Sequence, residues 1–136
     1  MSVRDKVQAA SDLPYERVAV PEWGENGTPL EFYVHALMGT ERDRIEQDAV
    51  AERAESEDDR VRNIRARFVV AATYEDEART RRVFREDDVE WLGRKSAKAL
   101  DRLYEPTARL SGISKEDVKE LAKNSVAAEA ADSTSA

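Results

Sequence analysis

The chain has 136 residues, 40% of them hydrophobic and 38% charged, which is the size of one ordinary domain with room for one modest core. A formal net charge of -7 removes the basic footprint that general binding to a phosphate backbone requires, so no nucleic-acid partner is expected. Cysteine is absent, which excludes disulfides and thiolate chemistry.

The opening Met1-Ser2-Val3-Arg4-Asp5-Lys6 lacks the apolar core of a secretory signal. No stretch approaches the roughly 20 apolar residues that span a bilayer, so a cytoplasmic location with no membrane partner is expected. Residues 2–10 suit a short helix capped by Ser2, with Val3, Val7 and Ala10 on one face. A helix this short is marginal in water, so it must dock or fray. Residues 17–20 read as a strand stopped by Pro21, and the turn formers around Asn26-Gly27 predict a hairpin. The second strand covers 30–37, where Leu30, Phe32, Val34 and Ala36 alternate with Glu31, Tyr33, His35 and Leu37.

After Gly39, Thr40 with Asp43 forms a variant capping box, so a helix begins near Glu41. It runs through an acidic stretch towards a break or connection within 54–59. From about 58 to 73, Val61, Ile64, Phe68, Ala71 and Ala72 recur at the spacing of an amphipathic helix, the main core helix of the first half. The short Arg82-Val83-Phe84 run reads as a third strand or a lead-in to the next helix. Asp87 or Asp88 caps a helix bearing Val89, Trp91 and Leu92, with Phe84 as a hydrophobic staple and Gly93 either ending or merely weakening it. Leu100, Leu103, Tyr104 and Leu110 mark a further helix, in which Pro106 predicts a kink and Ser111-Gly112 the C-terminus. Ser114 with Asp117 opens a last short helix bearing Val118 and Leu121. These elements predict an α+β fold, mainly α, with the hairpin packed on a small bundle of helices. One domain is expected over 1–124, followed by a disordered acidic tail over 125–136 that has nothing large and apolar to bury.

Few residues offer chemistry. His35 is the single histidine, so a structural zinc site of about four Cys or His ligands is excluded, and its mid-strand place suits packing better than catalysis. The five glycines form neither GxGxxG nor a phosphate-binding loop. Asp58-Asp59 and Asp87-Asp88 are the best carboxylate pairs for a metal, but acids at helix starts are ordinarily dipole partners. No catalytic, cofactor or metal site is expected. Arg60, Arg62, Arg65 and Arg67 flank the apolar stripe of their helix on both sides and build no single basic ridge.

Charge is nevertheless segregated. Residues 41–60 hold nine acids and four arginines (4 - 9 = -5), and residues 61–85 hold seven arginines and three acids (7 - 3 = +4). Pairing between two helices of one fold and a dipolar surface for self-association or a charged partner both fit this pattern. Trp23, in a loop between prolines, is either a cover for the hairpin or an interface anchor. Trp91, Leu100, Leu103 and Tyr104 provide core in the helical half, and any exposed remainder of their stripe is a candidate groove for a partner helix.

Several short strings, in their order and spacing, resemble the tail assembly chaperones of long-tailed bacteriophages and prophages of actinobacterial type. They are Val18-Ala19-Val20-Pro21-Glu22-Trp23-Gly24, then Leu37-Met38-Gly39-Thr40-Glu41-Arg42, then Val83-Phe84 followed by Asp87-Asp88. Leu92, Ser96, Leu100, Leu103, Leu110-Ser111-Gly112 and Lys123-Asn124-Ser125 complete the likeness, which covers about residues 1–124. The hairpin loop and the acidic stretch 52–59 are longer than in that family. The resemblance implies a non-enzymatic factor of the host cytoplasm that binds the tape measure protein, keeps it soluble, recruits tail tube protein, and is absent from the mature virion. The alternatives are a structural head-tail or tail component retained in the virion, and an acidic DNA mimic, which would order its acids on one rigid face.

Overall fold

A computed structural model describes residues 1–51, 57–121 and 123, with the main chain alone for 50, 51 and 57–63. The acidic tail expected over 125–136 and part of the break expected within 54–59 lie outside the described residues. The architecture is α+β and mainly helical, with an N-terminal hairpin packed on helices.

Helix α1 (Val3–Ala9) begins where Ser2 accepts the Asp5 N–H and Asp5 accepts the Ser2 N–H, a reciprocal capping box. It buries nothing, and Val3 and Val7 stay more than 70% exposed, so local capping holds it rather than docking. Strands β1 (Tyr15–Glu25) and β2 (Thr28–His35) pair antiparallel from Tyr15 opposite His35 to Val20 opposite Leu30, and again at Glu25 opposite Thr28. Asn26 and Gly27 make the connecting turn with φ of 53° and 77°, the left-handed pair that suits a two-residue hairpin.

The strand does not end at Pro21. Residues 21–24 bulge against Pro29 alone, and β1 then rejoins the ladder at Glu25. Proline lacks the ladder N–H but favours extended backbone, so it interrupts pairing without turning the chain. Gly24 allows the close crossing, since a Cβ there would lie 2.7 Å from the Pro29 Cα.

The third strand, β3 (Thr73–Tyr74), follows the core helix directly and pairs with β2 through Tyr33 opposite Tyr74 and Val34 opposite Thr73, giving the order β1-β2-β3. The 82–84 run, expected as a third strand or a lead-in to the next helix, contributes one bridge from Arg82 to Tyr74 and leads to the helical turn at Glu86–Asp88. The intervening loop returns the chain because the Asp76 carboxylate accepts the N–H groups of Thr80 (3.0 Å) and Arg81 (3.1 Å), together with the Thr80 hydroxyl.

Helix α2 (Gly39–Ala51) is capped differently from expectation. The longer Glu41 side chain reaches back to the Met38 N–H at 2.8 Å, and this contact replaces the Thr40 and Asp43 pairing. Helix α3 (Glu57–Ala72) is apolar on all sides in its last turns, where Ile64, Ala66, Phe68, Val69, Val70, Ala71 and Ala72 are buried. It is wider in burial than a one-sided stripe because it contacts α2, α4 (Val89–Gly93) and α5 (Ala97–Ser111).

Helix α5 lies between α3 and the hairpin, and Arg102 and Arg109 clamp it to β1. The Arg102 Nε is 2.6 Å from Glu22, and an Arg109 terminal nitrogen is 2.5 Å from Glu16. It passes through Pro106 without ending, and the Thr107 hydroxyl donates to the Leu103 carbonyl at 2.7 Å. Gly112 ends it in the left-handed region, φ 70°, with the Ile113 N–H on the Ala108 carbonyl. Helix α6, residues 115–121, starts from a reciprocal Ser114 and Asp117 box and buries Val118.

Candidate protein-binding surface

The sharp turn at Gly112 folds α6 back beside α5, and an open groove of about 830 Å³ lies between these helices and Arg65 of α3. Its floor is apolar: the half-exposed Tyr104 and Ala108 of α5 lie beside Ile113 from the turn and Val118 from α6, which are themselves buried. Tyr104 is held between α3 side chains, with Phe68 at 6.4 Å between ring centroids and the Arg65 guanidinium 5.6 Å above its ring. Burial pushes the Tyr104 phenol up from its ordinary pKa, so it stays a neutral donor and acceptor at physiological pH.

The rim is charged. Arg65 lies 3.7 Å from Asp101, and Arg109 lies 2.9 Å from Glu105 while also reaching Glu16. Both acids of the rim are thus engaged by arginines. Lys115 and Lys119 are exposed on α6 one turn apart, and Lys119 makes only a 3.9 Å approach to Glu116.

Of the five residues proposed from the sequence for protein contact, Tyr104 alone lines this groove. Leu100 and Leu103 are buried in the core at 4% and 0% exposure, so they hold α5 in place and offer no surface. Trp23 packs over the hairpin and core, edge-on to Phe32 at 6.0 Å and Phe84 at 6.5 Å, which answers its ambiguity in favour of structure. Trp91, expected in the core, is 40% exposed. One edge meets Phe84 at 6.0 Å, and its indole N–H donates to Asp88 at 2.9 Å, which keeps the ring at the surface with its polar atom satisfied. Ala108 and Ile113 were not singled out, and Val118 only as the apolar side of the last helix, because a turn and two helices bring them together and no single helical stripe contains them.

His35 is buried among rings, 5.2 Å from Tyr15 and 5.1 Å from Tyr74, with Nε2 2.9 Å from the Asp76 carbonyl oxygen. That contact ties β2 to the 75–81 loop, and no serine or acid side chain is hydrogen-bonded to the ring among the described residues. Between the two oppositely charged segments Glu41 of α2 pairs with Arg79, both largely buried, and Arg79 comes from the loop after β3 and not from a helix. Among the described residues no cluster of three or more metal-ligating side chains occurs, and no helix is long and apolar enough to cross a membrane. No family model, curated protein or solved structure matches the chain.

Proposed function

We propose that the protein is a non-enzymatic tail assembly chaperone of a long-tailed bacteriophage or prophage, which holds the tape measure protein soluble in the host cytoplasm and brings tail tube protein to it. The observation that carries this reading is the open groove between α3, α5 and α6, whose apolar floor and charged rim have the form that receives one face of an amphipathic helix. The order of short strings along residues 1–124 supplies the family. Acids on the described surface are interleaved with arginines at Glu16, Glu22, Asp101 and Glu105, which favours a protein partner over a role as a DNA mimic.

Affinity capture of the tagged protein from cells expressing the neighbouring tail genes tests the proposal. Recovery of a very long helical protein together with tail tube subunits is the expected result. Recovery of a DNA-binding protein alone would favour the mimic. Finding the protein at stoichiometric level in purified virions would make it a structural component.

A further inference from the structure

Helix α6 sorts its side chains into three strips. At about 100° per residue, Val118 and Leu121 share one side, Lys115 and Lys119 run along the next, and Glu116 and Glu120 lie beyond them. The apolar strip faces the groove, so the lysine strip forms its outer wall. Lys115 carries no ion pair among the described residues, and the Lys119 approach to Glu116 is long and exposed at both ends. On the opposite wall Arg65 and Arg109 are neutralised by Asp101, Glu105 and Glu16, so the free charge of the groove lies on the lysine wall. A chain of net charge -7 therefore places the positive charge of Lys115 and Lys119 along one wall of this groove.

We infer that this groove takes an amphipathic helix whose apolar face is flanked by acidic residues, the acids lying along the α6 lysines. The inference rests on the binding role proposed above and specifies the chemistry of the partner. Apolar contact with the half-exposed Tyr104 and Ala108 supplies affinity, and the Lys115 and Lys119 strip fixes which way round the helix lies and rejects basic helices.

The test uses the full chain and two fluorescein-labelled synthetic helical peptides with the same leucine face, one with glutamates and one with lysines along its flank, followed by fluorescence anisotropy. The glutamate peptide is expected to bind at least about tenfold more tightly, with the preference reduced by salt. Reversing the strip with K115E/K119E is expected to weaken the glutamate peptide about tenfold and to strengthen the lysine peptide. Both lysines are exposed, so the variant keeps its fold, which circular dichroism checks. The matched reversal K6E/K95E, away from the groove, is expected to leave both affinities within about twofold of the parent. Equal binding of the two peptides, binding of neither, or equal loss in both reversed variants overturns the inference. A protein that retains the tape measure protein in capture yet ignores both peptides keeps its proposed role and loses this groove as its site. One that selects the glutamate peptide but captures no tape measure protein keeps the groove and loses the phage assignment.

Discussion

Glu41 shows how one side chain can join two structural tasks. Its carboxylate accepts the Met38 N–H at the start of α2 and pairs with Arg79 from the loop after β3, with both ionic side chains less than one-fifth exposed. Glu41→Ala should therefore cost about 2–4 kcal/mol in urea denaturation, since it removes a cap and leaves the Arg79 charge largely buried. Thr40→Ala should stay within about 0.5 kcal/mol; the reverse ranking would restore Thr40 as the cap. The sequence pattern pointed to a cap at this junction but not to its register, because three-residue spacing to an acid occurs from both Met38 and Thr40, and a methionine N-cap carries no polar side-chain signal. At Gly24 the limit was different. Its closeness to Pro29 depends on a cross-strand approach that no local pattern contains, and Gly24→Ala should lower stability by about 2 kcal/mol or more because backbone must move to admit the Cβ. A neutral Gly24→Ala would mean that the bulge over residues 21–24 is not formed.

Elements with strong local chemistry were the most legible. The Asn26-Gly27 turn, the Ser2 and Ser114 boxes and the Gly112 terminus all follow from residues within a few positions of one another. The third strand was misplaced because Thr73-Tyr74 continues an apolar helix and has only two residues, whereas Arg82-Val83-Phe84 looks more like a strand in isolation. The distinction between Trp91 and Leu103 was also lost, since helical spacing places both on apolar faces without showing which face meets solvent. Leu103→Ala should cost about 3 kcal/mol or more, and Trp91→Ala about 1–2 kcal/mol, measured by thermal or urea unfolding.

Acid should act on the caps of these same elements. Thr80 first among its partners, then the Arg81 and Thr80 N–H groups, hold Asp76 below its ordinary pKa; the Arg85 N–H and then the Trp91 indole do so for Asp88; the Ser114 N–H and then its hydroxyl do so for Asp117. Because folding depresses these values, the stabilisation is complete above the ordinary value of 3.8 and is lost as pH falls through the lower folded values. An unfolding midpoint that declines below that value, and declines less when Asp76, Asp88 and Asp117 are all replaced by asparagine, is the expected outcome.

Across the whole molecule, periodicity was informative about the α+β, mainly helical architecture. The groove was less accessible. Its floor is assembled from α5, a turn and α6, and its wall from α3, so it exists only once the Gly112 turn has closed and α5 has been clamped to β1 by Arg102 and Arg109. The visible signal was the Lys115 and Lys119 spacing on a helix that opens with a capping box, in a chain otherwise rich in acids. The most direct measurement is co-expression of the neighbouring tape measure protein with and without this chain, followed by fractionation and size-exclusion chromatography. A tape measure protein that is insoluble alone and elutes in a large complex with this chain is the predicted result; one that stays insoluble, or is soluble without the chain bound to it, would contradict the account.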